Sequence, residues 1–309
     1  MSRRFGIPLV AVAAAIWGTD ALFRRGLALE LPSSTVVFYE HIVLFGATLP
    51  WLIRTRKSVR DLGLRDWVSL AVIGVGASAT ATFLFTAAFS YGDPNTPLLL
   101  QKLQPLVAVL GARLILKEAL LPRYWFFFAA GVAGAYLIAF PSPTDISTPL
   151  LAPALLAVGA ASLWGMGTVL GRRMSAKLDF QGLTAWRFAI GLPASWVIWV
   201  FQTDATVAPL SGNDTLAIVL LAMIPGLAAM LLYYRGLARV PASTATLAEL
   251  AFPVSATAIN YLAFGAVLTT SQWAGLAVLT GAITAMGLLG ARDIRLTGVV
   301  AEPIPATTS

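Results

Sequence analysis

Two stretches of this chain run for about twenty residues each without one charged side chain. They are WVSLAVIGVGASATATFLFTAAF from Trp67 and TLAIVLLAMIPGLAAMLLYY from Thr215. In hydrocarbon a backbone N–H or C=O finds no water. Such a stretch is therefore stable there as a helix that closes its own hydrogen-bond ladder. Only 11% of the residues are charged, against about 25% in ordinary soluble domains. The expected fold class is an all-α integral membrane protein, with the lipid bilayer as its principal partner.

Breaks rich in charge, Pro, Gly, Ser or Asp divide the chain into ten candidate spans. They lie at about 6–23, 33–53, 67–89, 95–115, 123–140, 150–170, 181–201, 214–234, 243–264 and 271–290. The terminal TGVVAEPIPATTS is polar or Pro-containing and is expected to be a disordered cytoplasmic tail, assigned to 293–309. The opening MSRRFGIPLVAVAAAIWG has the layout of a signal peptide, basic residues followed by an apolar core. The expectation is nevertheless an uncleaved first helix, because cleavage removes the first copy of a phrase that recurs.

That phrase is AAAIWGTD around Trp17, written again as AASLWGMG around Trp164. A shift of 147 or 148 residues also aligns Tyr39-Glu40 with Trp186-Arg187, Pro105 with Pro253 and Trp125 with Trp273. Each half holds five spans. Five is odd, so the second half enters the membrane upside down relative to the first. The expected units are 1–146 and 147–292, two inverted-topology five-helix repeats. This architecture places a substrate site near the midplane between the halves and lets one half rock against the other.

Charge fixes the orientation. Of the 21 Lys and Arg residues, Arg24 and Arg25 fall on the side opposite the N-terminus, and Lys102 and Arg187 fall inside spans. All the others fall on the N-terminal side. That side is therefore expected to be cytoplasmic, with both termini inside, in a cell inner membrane. The same placement accounts for the net charge of +7 without nucleic acid. The chain has no cysteine, which removes disulfides, thiol nucleophiles and Cys-based metal sites. One histidine and no cysteine make a poor basis for an intramembrane enzyme, and no cofactor or metal is expected. A receptor or scaffold is disfavoured, because sensing does not require two opposed halves.

The stretch GLARVPASTATLAELAFPVSATAINYLAFGAVLTTSQWAGLAVLTGAI resembles the repeat of the drug/metabolite transporter superfamily, EamA-type branch. PLLLQKLQPLVAVLGARLILKEALLPRYW in the first half resembles the same repeat, and IWG and LWG match as well. The resemblance covers about residues 6–290. It implies a ten-helix inner-membrane permease whose cavity lies between helices 1–4 and 6–9, with 5 and 10 peripheral. It also implies export of small amphipathic metabolites by alternating access. Amino-acid exporters, including those for aromatic amino acids, are the nearest resemblance; toxic cations or phosphorylated metabolites are the alternative cargo. Two positions depart from the family pattern. Glu118 supplies the acid expected before the fifth helix, but Ala266 stands before the tenth. Arg187 supplies the basic residue of helix 7, while helix 2 carries Glu40-His41.

Ionisable groups inside spans cost about 2.5–3.5 kcal/mol each on insertion scales, so they face a cavity or a partner. The candidates are Asp20, Glu40, His41, Lys102, Arg187 and Glu249. Glu40 and Arg187 are repeat-equivalent and opposite in charge. They are expected to form an ion pair, either a gate or a static bridge. His41 is either a packing residue or a proton relay, which leaves protons as a candidate coupling ion. Thr246, Glu249, Pro253, Thr257 and Asn260 share one face of helix 9, and Gln101, Gln104 and Pro105 lie on helix 4. These polar faces line a cavity or glue helices together. Trp17, Trp164, Trp186, Tyr39, Tyr233 and Tyr234 are either stacking walls for cargo or interfacial belt residues. The candidate substrate contacts are thus Trp17, Tyr39, His41, Gln101, Trp164, Trp186, Tyr234, Glu249 and Asn260.

Overall fold

The computed structural model describes residues 6–91, 94–115, 123–140, 148–204, 209–240 and 248–297, with positions 142, 206 and 245. Glu118, Thr246 and the tail from 298 onward lie outside the described residues. The described chain forms helices α1 (Gly6–Glu30), α2 (Ser33–Thr55) and α3 (Leu64–Phe89). Helix α4 is made of Asn95–Leu100, Gln101–Leu103 and Gln104–Ile115. Then come α5 (Arg123–Ala139), α6 (Thr148–Met174), α7 (Phe180–Thr203), α8 (Gly212–Leu237), α9 (Ala251–Phe264) and α10 (Thr270–Thr297). Six of these, α1–α3 and α6–α8, are long and apolar enough to cross a bilayer across their described residues. Helix α4 is interrupted by a 3-10 turn at Gln101–Leu103. The protein is a multi-pass integral membrane protein, and its described residues form ten helices as two inverted repeats.

Helices α2 and α7 are repeat equivalents and pack together antiparallel. The end of α2 meets the start of α7, where Arg54 lies 2.9 Å from Asp179. At the other end the Ser34 N–H donates to Gln202 Oε1 at 3.0 Å. The start of α3 also faces the end of α6, where Arg173 lies 3.2 Å from Asp66 and Lys177 lies 2.5 Å from it. The loops after α2 and α6 therefore share one membrane face, as the basic residues require.

Each half packs its first helix on the other half's third and fourth helices. Helix α1 lies against α8 and α9, and α6 lies against α3 and α4. The repeated Trp-Gly phrase makes this possible. A Cβ on Gly18 would lie 2.8 Å from the Ala256 backbone nitrogen of α9, and one on Gly165 would lie 2.7 Å from the Gln104 carbonyl of α4. Helices α5 and α10 pair at the periphery through Gly134 and Gly275, where a Cβ on Gly134 would come within 2.8 Å of the Gly275 carbonyl. Helices α3 and α8 each contain a π-helical stretch, Val72–Thr80 and Ala222–Ala228, at overlapping repeat positions.

Three boundaries differ from those expected. Helix α9 begins at Ala251, so Glu249 and Leu250 stand in a turn before it and Glu249 does not share a helical face with Pro253, Thr257 and Asn260. Helix α1 turns briefly at Gly18-Thr19 and continues to Glu30 rather than stopping at 23. Arg24 is only 3% exposed and is not an extramembrane loop residue. It stays helical because Asp20, one turn earlier, is its partner. Helix α10 runs to Thr297, past the expected start of the tail at 293.

Topology is open to direct measurement. The chain has no native cysteine, and Ser58, Ser142, Lys177 and Ser211 are all exposed. Single cysteines at 58 or 177 are expected to react with an impermeant maleimide only from the cytoplasm, and those at 142 or 211 only from outside. Labelling of position 211 from the cytoplasm contradicts the assigned orientation.

Candidate functional site

A cavity of about 110 Å³ lies between the two halves. Its wall is contributed by α1–α4 and α6–α9; none of the described side chains of α5 or α10 lines it. Trp17 and Trp164, the two copies of the repeated phrase, both line it. Trp17 meets Tyr233 at 4.9 Å between ring centroids, and Trp164 meets Phe85 edge-on at 5.0 Å. Phe252 supplies the α9 part of the wall.

One side of the cavity carries a saturated charge cluster. Arg24 Nε and Nη2 donate to Asp20 at 2.6 and 2.9 Å. Nη1 and Nη2 donate to Glu40 at 3.1 and 3.3 Å. The remaining N–H of Nη1 goes to Thr86 Oγ1 at 2.7 Å. All five guanidinium donors are thus used, the full capacity of the group. Two carboxylates share one cation, so the cluster carries an excess negative charge.

Arg187 lines the cavity from α7. Its Nη2 donates to the Ala77 carbonyl at 2.6 Å and its Nη1 to the Tyr234 hydroxyl at 3.3 Å, while Nε has no partner. Ala77 sits in the π-helical stretch of α3. A π turn takes carbonyls out of the ordinary helical ladder, which suits one to accept from a side chain. The expected Glu40–Arg187 bond is therefore absent: Glu40 is bonded to Arg24, and Arg187 to neutral oxygens. Equivalence in the repeat brings both residues to the same cavity without making them partners. Beside the cavity, the repeat equivalents of α2 and α7 that meet are His41 and Phe188, edge-on at 6.2 Å.

His41 is 1% exposed. Its Nδ1 lies 2.8 Å from the Val37 carbonyl and its Nε2 lies 3.0 Å from Ser78 Oγ. A carbonyl only accepts, so Nδ1 carries the hydrogen, and in the neutral ring Nε2 accepts from Ser78. Both nitrogens are satisfied.

A second polar network reaches the cavity wall through Gln104, Thr168 and Tyr233. Tyr233 OH donates to Glu249 Oε1 at 2.9 Å and lies 3.3 Å from Thr168 Oγ1; Gln104 Nε2 donates to the same Thr168 oxygen at 3.1 Å. Lys102 Nζ stands 3.8 Å from the centroid of the Phe252 ring and within Coulombic reach of Glu249.

Of the expected contacts, Trp17, His41, Gln101, Trp164 and Tyr234 line the cavity, with Glu40 and Arg187. Tyr39, Trp186, Glu249 and Asn260 fall outside its lining. Successive helical residues point about 100° apart, so Tyr39 and Trp186 turn away where Glu40 and Arg187 turn in. Tyr39 packs in the cluster of Leu27, Val36 and Ile218. Trp186 meets Trp67 edge-on at 5.5 Å. Asn260 Nδ2 donates to Asn95 Oδ1 at 3.0 Å, joining α9 to α4. Glu249 accepts a hydrogen bond from Tyr233, which does line the cavity. Sequence reasoning missed Arg24, which was placed in a loop, and Phe85, Phe188 and Phe252, which resemble any other apolar residue of a span.

The EamA-like transporter family matches residues 4–140 and 151–288, one match for each half. A riboflavin transporter, ImpX, from Fusobacterium nucleatum is 33% identical over 284 residues, covering 86% of this chain and 92% of its own. A riboflavin transporter of Rhizobium johnstonii is 27% identical, covering 83% of this chain and 81% of its own. A solved crystal structure superposes with a TM-score of 0.64 at 21% identity, covering 92% of this chain and 98% of that one, which shows a shared fold. The expected nearness to amino-acid exporters finds no support among these relatives, whose named cargo is riboflavin.

Proposed function

The chain belongs to the EamA-like transporter family, and from that premise we propose that it carries a flat aromatic heterocycle of the riboflavin type across the inner membrane by alternating access. It is a secondary transporter of small metabolites and not an enzyme. The observation that carries the cargo reading is the aromatic cavity itself. Trp17, Phe85, Trp164 and Phe252 come from four helices and both halves to wall one space. Such faces suit a planar ring, and the polar groups between them suit hydroxyls and ring carbonyls. At about 110 Å³ the space is smaller than the roughly 300–1,000 Å³ of sites for drug-sized ligands. Loading a tricyclic ring therefore requires the halves to part, as rocking of inverted repeats provides.

A second reading rests on a specific observation. Arg187 on one side and the Asp20–Arg24–Glu40 cluster on the other give the cavity opposed charges, which suits a zwitterionic amino acid.

The test is uptake by purified protein in liposomes. Entry of riboflavin above empty-liposome background supports the first reading; entry of tryptophan without riboflavin supports the second. Replacing Trp17 or Trp164 with Ala is expected to raise the riboflavin KM by about two- to tenfold, the span of one lost aromatic contact. An unchanged KM in both variants removes them from the cargo path. The outward direction expected from the resemblance is read separately, by loading the liposomes and following efflux from each protein orientation.

A further inference from the structure

Among the described residues the cavity walls hold four charged side chains: Asp20, Glu40, Arg24 and Arg187. Two are acids and two are bases, so their charges cancel. They are not, however, distributed as two pairs. Arg24 spends every donor on the acids and Thr86. Arg187 is 6% exposed and bonded only to a carbonyl and a phenol hydroxyl, with Nε–H unpartnered. The result is a cavity that is neutral overall, with a positive wall at α7 and a negative wall at α1 and α2. Lys102 and Glu249, one base and one acid, are absent from its lining, and His41 holds two satisfied nitrogens. The tyrosines, Tyr233 and Tyr234, add hydroxyls and no charge.

We propose that this balance is the specificity filter: the cavity admits cargo with no net charge, places its electron-rich carbonyl end against Arg187 and its donor end towards Asp20 and Glu40, and rejects anionic or cationic forms of the same ring. The inference rests on the cavity being the cargo path but not on the cargo being a flavin. A cargo with a net charge meets the wall of opposite sign but leaves the wall of its own sign without a counter-charge, so the filled cavity as a whole holds an uncompensated ion in a low-dielectric space. A neutral dipolar cargo adds no charge and aligns with the field already present. Phosphorylation of a cargo molecule inside the cell then prevents its passage.

The filter is tested with two charge series in proteoliposomes. One compares riboflavin with riboflavin 5′-phosphate. The other compares tryptophan with tryptophanamide, a cation, and N-acetyltryptophan, an anion. The neutral or zwitterionic member of each series is expected to move at least about tenfold faster than its charged relatives. Arg187→Gln leaves an excess negative charge and is expected to shift preference towards tryptophanamide. Glu40→Gln and Asp20→Asn each leave an excess positive charge and are expected to shift it towards N-acetyltryptophan. A purely structural role predicts equal loss of all forms, not opposite shifts. The two acid variants are independent routes to one balance, so misfolding of either leaves the other to be read. Equal transport of riboflavin and its phosphate by the unmodified protein overturns the proposal, as do shifts of the same sign in the Arg187 and acid variants. If tryptophan moves and riboflavin does not, the flavin reading falls and the filter is judged on the tryptophan series alone. If no member of either series is moved, both fall.

Discussion

Arg24→Met is expected to remove most of the folded protein from the membrane. The guanidinium holds two carboxylates that are otherwise buried, Asp20 at 8% exposure and Glu40 at 4%. Taking away one partner of a buried ion pair costs about 3–5 kcal/mol, because a charge is left uncompensated. Here two charges are left facing each other. Total stabilities run only about 5–15 kcal/mol, so the variant is expected to aggregate on size-exclusion chromatography in detergent. Removing the charges together is a different matter. Arg24→Met combined with Asp20→Asn and Glu40→Gln strands no ion, and it is expected to recover a monodisperse peak and most of the thermal midpoint. If Arg24→Met alone is as stable as the parent, the cluster is not as buried as described. Exchanging Glu40 and Arg187 is expected to rescue nothing, since neither is bonded to the other.

Gly18→Val and Gly165→Val are expected to be the next most damaging changes. Each glycine lets one helix touch the backbone of a helix in the other half, at the Ala256 nitrogen and the Gln104 carbonyl. Backbone does not move aside as a flexible side chain does. Overpacking a tight contact costs about 1–3 kcal/mol, and here it also pries the two halves apart. Gly46 is the control, because a Cβ there meets nothing within 4 Å. Gly46→Ala is expected to be neutral or stabilising, by up to about 1 kcal/mol from helix propensity. Thermal unfolding of the three variants in one detergent checks the ranking. Equal midpoints for Gly18→Val and Gly46→Ala contradict the described contact.

The helical layout was legible because lipid imposes it. Apolar runs and polar breaks mark spans directly, and the Trp17 and Trp164 phrases reported the repeat. The charge partners were not legible, for reasons of rotation and depth. Ending the first span at 23 put Arg24 in water, although Asp20 at one helical turn was a usable sign that the helix goes on. Pairing Glu40 with Arg187 assumed that equivalent residues touch. An axis between two antiparallel helices brings some equivalents together, such as His41 and Phe188, and leaves others side by side. The π-helical stretches left little trace. VIGVGASAT has no proline, and Pro225 in AMIPGLA suggests a loosened helix without giving its form. The aromatic wall was half visible: a tryptophan in mid-span stands out, whereas Phe85 and Phe252 do not.

The crossed packing of α1 on α9 and of α6 on α4 also bears on how the chain is made. A ribosome delivers α1 to the membrane first, and the backbone that fills the space beside Gly18 arrives only when nearly the whole protein has been synthesised. Until then the first five helices hold an exposed glycine notch with nothing seated in it. Neither half is a finished product on its own. Two separately translated halves therefore have to meet in the bilayer before either acquires its interior, and a nascent chain stalled before α9 lacks the backbone that seats α1 and is not a smaller version of the carrier.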